Sequence, residues 1–291
     1  MREIAILGPT ASGKTALSID LAKKLDANIL SLDSLSIYKE IDIASAKPSL
    51  KERGGVKHFG IDVLCVNEAF NVTTFFELYK QAKEQSQEEG KNLIIVGGTG
   101  FYLKSMIDGV SYKPELSETT KKKVTQYLQN GYEIMRDIDA SYAVNISSSD
   151  SYRIEKWLEI YFETNTIPSK FFEQHPKKPV IQDIELYEIE VEKELLRERI
   201  SQRTQMMIDD GLIDEVFFLE NKYTRAPNPM KAIGIKETLA YFDGELNLTE
   251  LKEKIVINTA KLAKRQRTFN ATQFEEHIKA SVKDISNLIN L

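Results

Sequence analysis

Gly8-Pro9-Thr10-Ala11-Ser12-Gly13-Lys14-Thr15 satisfies G-x-x-x-x-G-K-[ST] at every position. The residues just ahead of it, Ile4-Ala5-Ile6-Leu7, are an unbroken apolar run, as in a strand buried on both faces. The residues after it place Leu17, Leu21, Ala22 and Leu25 on one side of a helix. A phosphate loop needs that setting. Glycines let the backbone curl round a phosphate with several N–H groups turned inward, and the following helix directs its positive dipole end at the same spot. Gly8, Pro9, Thr10, Ala11, Ser12 and Gly13 are therefore expected to cradle phosphate. Lys14 is expected to reach its terminal oxygens and Thr15 to ligate Mg²⁺. Read alone, the loop points to a nucleotide such as ATP. It names no reaction, because kinases, hydrolases and transferases all use it.

Outward from the loop the same alternation continues. Ile29–Leu32 is a second apolar run, residues 75–89 carry a helical pattern, and Leu93-Ile94-Ile95-Val96 is a third strand ending at Gly97-Gly98. Such runs are too apolar for a sheet with one wet face, so the expected class is α/β: a parallel sheet flanked by helices, of the kind found in P-loop NTPases. From about residue 108 the pattern turns to helix only, with Ser117 placed to cap a helix reaching about residue 129 and a second helix over 152–162. The Pro-containing stretch Pro176-Lys177-Lys178-Pro179 reads as a linker, and residues 180–191 again have strand-like composition. The expected organisation is a catalytic core of residues 1–107 and 179–291 interrupted by an all-helical insertion of residues 108–178. Beyond it, residues 194–210 form a helical pattern stopped by Gly211, residues 212–221 begin another helix, and residues 249–269 form a long helix with a basic end.

Bulk properties narrow the function classes. A mean hydropathy of −0.33 and the absence of any long apolar run argue against a membrane protein. The N-terminal apolar run is too short for a secretory signal, so a cytoplasmic location is expected. The single cysteine, Cys65, cannot form an internal disulfide; it lies in an apolar stretch and is expected to be buried and inert. His58, His175 and His277 lack metal-site spacing. A net charge of −5 does not suggest a protein that coats nucleic acid through its overall field, so any such contact must be local. Residues 254–267 offer one patch, with Lys254, Lys261, Lys264, Arg265 and Arg267 and no acid among them, although a basic run alone fits a solvated helix face better.

Two further positions fall at the expected carboxyl edge of the sheet, where α/β proteins bind ligands. Asp33 follows the second strand and reads as a magnesium ligand, a general base or a helix N-cap. Gly97-Gly98-Thr99-Gly100 follows the third strand, with Thr99 either a substrate contact or part of a plain turn.

Several segments coincide, in order from residue 8 to residue 269, with one family. They are the loop itself, Asp33-Ser34 through Tyr38, Ala46-Lys47-Pro48, Gly97-Gly98-Thr99-Gly100-Phe101-Tyr102, Arg153-Ile154 with Leu158-Glu159, Gly211-Leu212-Ile213-Asp214-Glu215-Val216, Ala232-Ile233-Gly234-Ile235-Lys236-Glu237 and Lys264-Arg265-Gln266-Arg267-Thr268. The chain resembles the tRNA dimethylallyltransferases of bacterial type, also called tRNA isopentenyltransferases. The resemblance implies transfer of a dimethylallyl group from dimethylallyl diphosphate to the exocyclic N6 amine of the adenosine 3′ to the anticodon, with release of diphosphate. It reassigns residues 8–15 to the prenyl donor's diphosphate, with Mg²⁺ as cofactor and Lys231 as an added charge nearby. It implies Asp33 as general base and Lys14 and Thr99 as further catalytic groups. It places Asp33, Ser34, Leu35, Ser36, Thr99, Arg153, Lys264, Arg265, Gln266 and Arg267 at the tRNA, with the insertion clamping the anticodon arm. The implied partners are tRNA and the prenyl donor, with no membrane, and the implied state is a monomer. The chain departs from the family at Ser147-Ser148-Ser149-Asp150, where His-Pro-Asn-Asp is usual, at Ala44-Ser45 for Gly-Thr, and at Phe269 for Trp.

Three other readings compete. A small-molecule kinase follows from the loop alone, and an isopentenyltransferase acting on free adenine nucleotides follows from the same core, although such a substrate needs no clamp. A non-enzymatic RNA-binding protein would have no use for Asp33 beside an intact phosphate loop.

Overall fold

The computed structural model describes residues 1–98 and 100–289. They divide into two compact units, one of residues 1–105 with 181–291 and one of residues Met106–Val180.

In the first unit the chain runs β1 (Glu3–Leu7), α1 (Lys14–Lys24), β2 (Ala27–Ser31), α2 (Leu50–Arg53), β3 (His58–Phe59), α3 (Val72–Glu88), β4 (Asn92–Gly97) and α4 (Gly100–Asp108), the last crossing into the second unit. The second unit contains α5 (Glu118–Tyr127), α6 (Gly131–Ile138), α7 (Ala140–Ala143), α8 (Ser151–Thr164) and α9 (Pro168–Gln174). The first unit resumes with β5 (Glu185–Ile189), α10 (Lys193–Asp209), α11 (Leu212–Tyr223), α12 (Ile235–Phe242), α13 (Leu248–Gln273), β6 (Ile278–Ala280) and α14 (Val282–Ile289).

The strands form one sheet in the order β3-β2-β4-β1-β5-β6, every neighbouring pair parallel. The α/β class expected from the sequence is the class observed. Ile4, Ala5 and Ile6 of β1 are wholly buried, because the strand lies inside the sheet with cover on both faces. Around it Leu17 and Leu21 of α1, Ile29 of β2, Ile94 of β4 and Ile285 and Ile289 of α14 make one apolar core.

Register decides what meets at the carboxyl edge. Leu7 pairs with Gly97 and with Glu188, and the Leu32 N–H donates to the Val96 carbonyl at 2.7 Å. The loop after β1, the turn after β4 and the segment after β2 therefore begin side by side. Open α/β sheets bind ligands at this edge.

Helix boundaries follow local chemistry. Gly13, at φ 95°, supplies the left-handed residue from which α1 starts. Asn247 and Glu250 close a capping box on α13. The strand expected over 180–191 is shorter, at Glu185–Ile189, because the Pro-rich approach before it is irregular. Cys65, expected to be buried, is only half-buried.

The second unit has its own core of Val124, Met135, Ile154, Trp157 and Leu158. Buried Asp139 ties it together by accepting from Trp157 Nε1 at 3.2 Å and from the Ser169 N–H at 3.1 Å. Ser117 caps α5 by accepting from the Thr120 N–H, as its sequence position predicts.

Candidate active site

At the carboxyl edge lies a cavity of about 290 Å³ whose wall includes Thr10, Asp33, Ser34, Gly98, Arg203 and Gln266. Its floor is mixed, with Ile200, Met207, Ile233, Ile255 and Leu262 adding apolar surface. A second, more open cavity of about 820 Å³ surrounds Ser12, Gly13, Lys14 and Thr15. Arg203 borders both, so the phosphate loop and the pocket of Asp33 are neighbours around one guanidinium.

The loop is shaped from within. The Ser12 N–H donates to the Pro9 carbonyl at 3.2 Å, Ala11 takes a left-handed φ of 64°, and Lys14 Nζ donates back to the Pro9 carbonyl at 2.6 Å. Burial, with Arg203 second, pushes the Lys14 ammonium down to about 7, while Asp33 pulls the other way. Arg203 is likewise lowered by burial and supported by Asp33. Arg199, Lys23 and Arg203 border the same cavity as Lys14. A chain with a net charge of −5 thus gathers cations around one loop, as a site for a strongly anionic ligand requires.

Asp33 stands exposed two residues beyond the end of β2. Its Oδ1 accepts from the Leu35 N–H at 2.8 Å and the Ser36 N–H at 3.0 Å, which fixes the carboxylate. Among the described residues neither bond uses Oδ2. One oxygen of Asp33 therefore caps a turn, and the residue also lines the cavity wall.

The structure brings together Thr10, Asp33, Ser34, Leu35 and Gln266 at one cavity and Ala11, Ser12, Gly13, Lys14 and Thr15 at the other. Gly8 and Pro9 complete the loop between them. Ser36 turns inward, its Oγ 3.3 Å from Ser31 Oγ. Lys231 is exposed at the end of the 228–231 turn, and the cavity wall takes its neighbours Ala232 and Ile233 instead. Lys264, Arg265 and Arg267 are exposed on α13, whereas Gln266 is buried and faces the phosphate loop. Arg153 is exposed in the second unit and pairs with Asp150 at 2.9 Å. Thr99 lies outside the described residues.

Arg199 and Arg203 escaped the sequence reading, and Lys47 and Glu215 stood in it only as members of family-like segments. Arg199 and Arg203 sit one turn apart on α10; two arginines at that spacing, just after a strand, were the available signal. Glu215 accepts from the N–H groups of Asp42 at 2.8 Å, Ile43 at 2.7 Å and Ala44 at 2.9 Å. It thereby pins the segment that carries Ala44 and Ser45 into the wall of Asp33's cavity. Lys47, nearly buried, donates to the Tyr38 carbonyl at 2.8 Å and pairs with Asp42 and Asp62 at 2.7 and 2.6 Å.

Mg²⁺ fits this donor set only in company. Among the described residues no three His, Cys, Asp or Glu side chains converge on a metal site, and the loop offers the exposed Thr15. A small, strongly hydrated cation held by one or two protein oxygens and completed by phosphate suits that arrangement.

A family model described as IPP transferase matches residues 36–273. A tRNA dimethylallyltransferase of Sulfurovum sp. (strain NBC37-1) is 57% identical over 99% of this chain and 97% of its own length. The solved structure of a full-length tRNA isopentenylpyrophosphate transferase from Bacillus halodurans superposes with a TM-score of 0.74 at 28% identity, covering 99% of this chain and 95% of that one. A eukaryotic dimethylallyltransferase, solved acting on tRNA, shares the fold with a TM-score of 0.86 at 24% identity, covering 98% of this chain and 75% of that one. Among the described residues no helix is long and apolar enough to cross a membrane. With its parallel sheet, its two glycine loops meeting at one edge and relatives matched nearly end to end, this chain belongs to the IPP transferase family and is an enzyme of the tRNA dimethylallyltransferase group.

Proposed function

We propose that this tRNA-prenylating enzyme takes its dimethylallyl group from dimethylallyl diphosphate, holds the diphosphate on residues 8–15, and uses Asp33 to deprotonate the adenosine N6 amine next to the anticodon. The observation that carries the reading is Arg203 bordering both the loop's cavity and that of Asp33. It lets one substrate's leaving group and the other's nucleophile approach from opposite sides of a single cation.

In this reading N6 attacks C1 of the dimethylallyl chain, the C1–O bond breaks with its electron pair going to diphosphate, and Asp33 accepts the proton that N6 gives up. Lys14, Arg203 and the loop N–H groups face the charge that grows on the leaving oxygen. Thr15, together with the diphosphate, would hold Mg²⁺, which would supply further neutralisation there. Ile200, Met207, Ile233, Ile255 and Leu262 give the five-carbon chain an apolar bed and keep water from the allylic carbon.

An amine inside an anticodon loop reaches such a cavity only if its base leaves the stack. The exposed Lys264, Arg265 and Arg267, and the second unit with Arg153, are the surfaces offered to the RNA backbone. A local basic patch on an acidic protein suits one structured RNA.

The test is incubation with Mg²⁺, dimethylallyl diphosphate and unmodified tRNA carrying adenosine 3′ to the anticodon. A gain of one prenyl group on that nucleoside, read by mass spectrometry, is expected. Phosphorylation of a small acceptor from ATP, with no prenyl gain on RNA, would replace this reading with a kinase.

A further inference from the structure

We propose that Gln266 is a positioning residue that holds the two glycine loops together and links the diphosphate site to RNA docked on the outer face of α13. The proposal rests on the reading of residues 8–15 as the diphosphate loop.

Within the basic run Lys264-Arg265-Gln266-Arg267, Gln266 is the uncharged residue and the buried one, at 7% exposure. Helical spacing is the reason: Ala263, Gln266 and Asn270 share the inward side of α13, all buried, while Lys264, Arg265 and Arg267 are exposed. A carboxamide so placed must find partners. Its Oε1 accepts from the Thr10 N–H of the phosphate loop at 2.9 Å. Its Nε2 lies against Gly98 so closely that a β-carbon there would come within 2.5 Å of it. One side chain therefore touches the loop after β1 and the turn after β4. One turn further on, Asn270 Oδ1 would lie 2.5 Å from a β-carbon at Gly100, and its Nδ2 donates to Glu188 of β5 at 3.0 Å.

The inner face of α13 thus rests on the ends of three neighbouring strands, and its outer face presents the cations. Two faces of one stiff helix move together, so phosphates engaged outside and diphosphate engaged inside bias the same element. By linkage each ligand then changes the other's affinity by the same factor.

Calorimetric titration of inorganic pyrophosphate with Mg²⁺ tests this, with and without an anticodon stem-loop RNA carrying adenosine 3′ to the anticodon. In the wild type, RNA is expected to tighten pyrophosphate binding at least threefold. In Gln266→Ala, pyrophosphate binding is expected to weaken about three- to tenfold, the effect of one lost hydrogen bond. RNA should no longer tighten it, although RNA alone binds as in the wild type. In steady state KM for the prenyl donor rises, and at saturating donor the apparent affinity for RNA falls by the same lost coupling factor. Gly98→Ala, whose methyl displaces the carboxamide, should reproduce the weakening in the wild type and add none in Gln266→Ala. Should Gln266→Ala not fold, Gln266→Met fills the same space without the acceptor and takes its place. Unchanged pyrophosphate affinity in the variant, an RNA effect that survives there, or no RNA effect in the wild type overturns the proposal. A wild type that binds no pyrophosphate refutes instead the reading of the loop, and the proposal with it.

Discussion

Arg203 stands close enough to Lys14 to help burial hold that ammonium at about 7, where an ordinary lysine sits near 10.5. Two cations aimed at one place repel until an anion joins them. Asp33, which acts in the opposite sense on both, is too exposed to cancel that repulsion. Three predictions draw on this and on the other contacts of the site, and a fourth on the core of the second unit.

The first concerns pH. On the proposed reading diphosphate would bind the protonated lysine and raise its pKa, so binding would take up a proton wherever the free lysine has lost one, above about pH 7. Affinity for dimethylallyl diphosphate should fall from pH 7 to pH 9, by up to about tenfold per unit. Calorimetry at pH 8 in two buffers of different ionisation heat should register the uptake in the wild type and lose it in Lys14→Met. Equal heats in both buffers would sink the assignment.

Asp33→Asn keeps an oxygen for the Leu35 and Ser36 N–H groups but cannot accept the N6 proton. Donor and RNA binding should survive, with kcat down roughly a hundredfold or more. Turnover near that of the wild type would remove Asp33 from the chemistry.

Glu215→Ala strips the acceptors from three N–H groups of residues 42–44. Freed, that segment no longer presents Ala44 and Ser45 as a fixed wall. Stability should drop by about 1–3 kcal/mol in urea unfolding, and KM for RNA should rise. A variant as stable as the wild type would mean that water replaces the carboxylate at no cost.

Asp139 belongs to the second unit. Burial pushes its carboxyl up, but hydrogen bonds from Ser169 and Trp157 outweigh burial and hold it below the ordinary aspartate value. Its folded value is thus the lower one, so its stabilisation is complete above the unfolded pKa of about 3.9 and is lost as pH falls through the folded value. Trp157, the chain's single tryptophan, reports it directly. Its fluorescence should show the unit loosening in acid below about pH 4, whereas Asp139→Asn should be destabilised already at neutral pH. Identical acid profiles for the two proteins would contradict this.

How much of this was legible beforehand depended on the range of the signal. Residues 8–15 announce a phosphate loop because the chemistry requires those residue types consecutively, and Ile4–Leu7 announces a buried strand because every residue in it is apolar. The α/β class followed from such local runs. The two-residue β3 and the exposed β6 leave no comparable trace: β6 has Ile278 and Lys279 in solvent and owes its pairing to β5. Arg203 and Gln266 illustrate the same limit at the site. Each looks like an ordinary polar residue on a helix, and only the packing of α10 and α13 against the strand ends gives it a place. Gln266 even misleads, since three basic neighbours advertise a wet face and it occupies the dry one. Lys231 shows the reverse, a charge beside a family-like motif that the 228–231 turn leaves on the surface.

The Val180 N–H donates to the Met106 carbonyl at 2.7 Å, and Gly109 packs against the backbone of Lys178. The second unit therefore begins and ends at the same point. Whatever is inserted there neither lengthens nor strains the route from β4 to β5, so the size of the unit is not constrained by the spacing of those strands. A chain built this way carries a whole helical cassette behind a doorway as narrow as one backbone hydrogen bond.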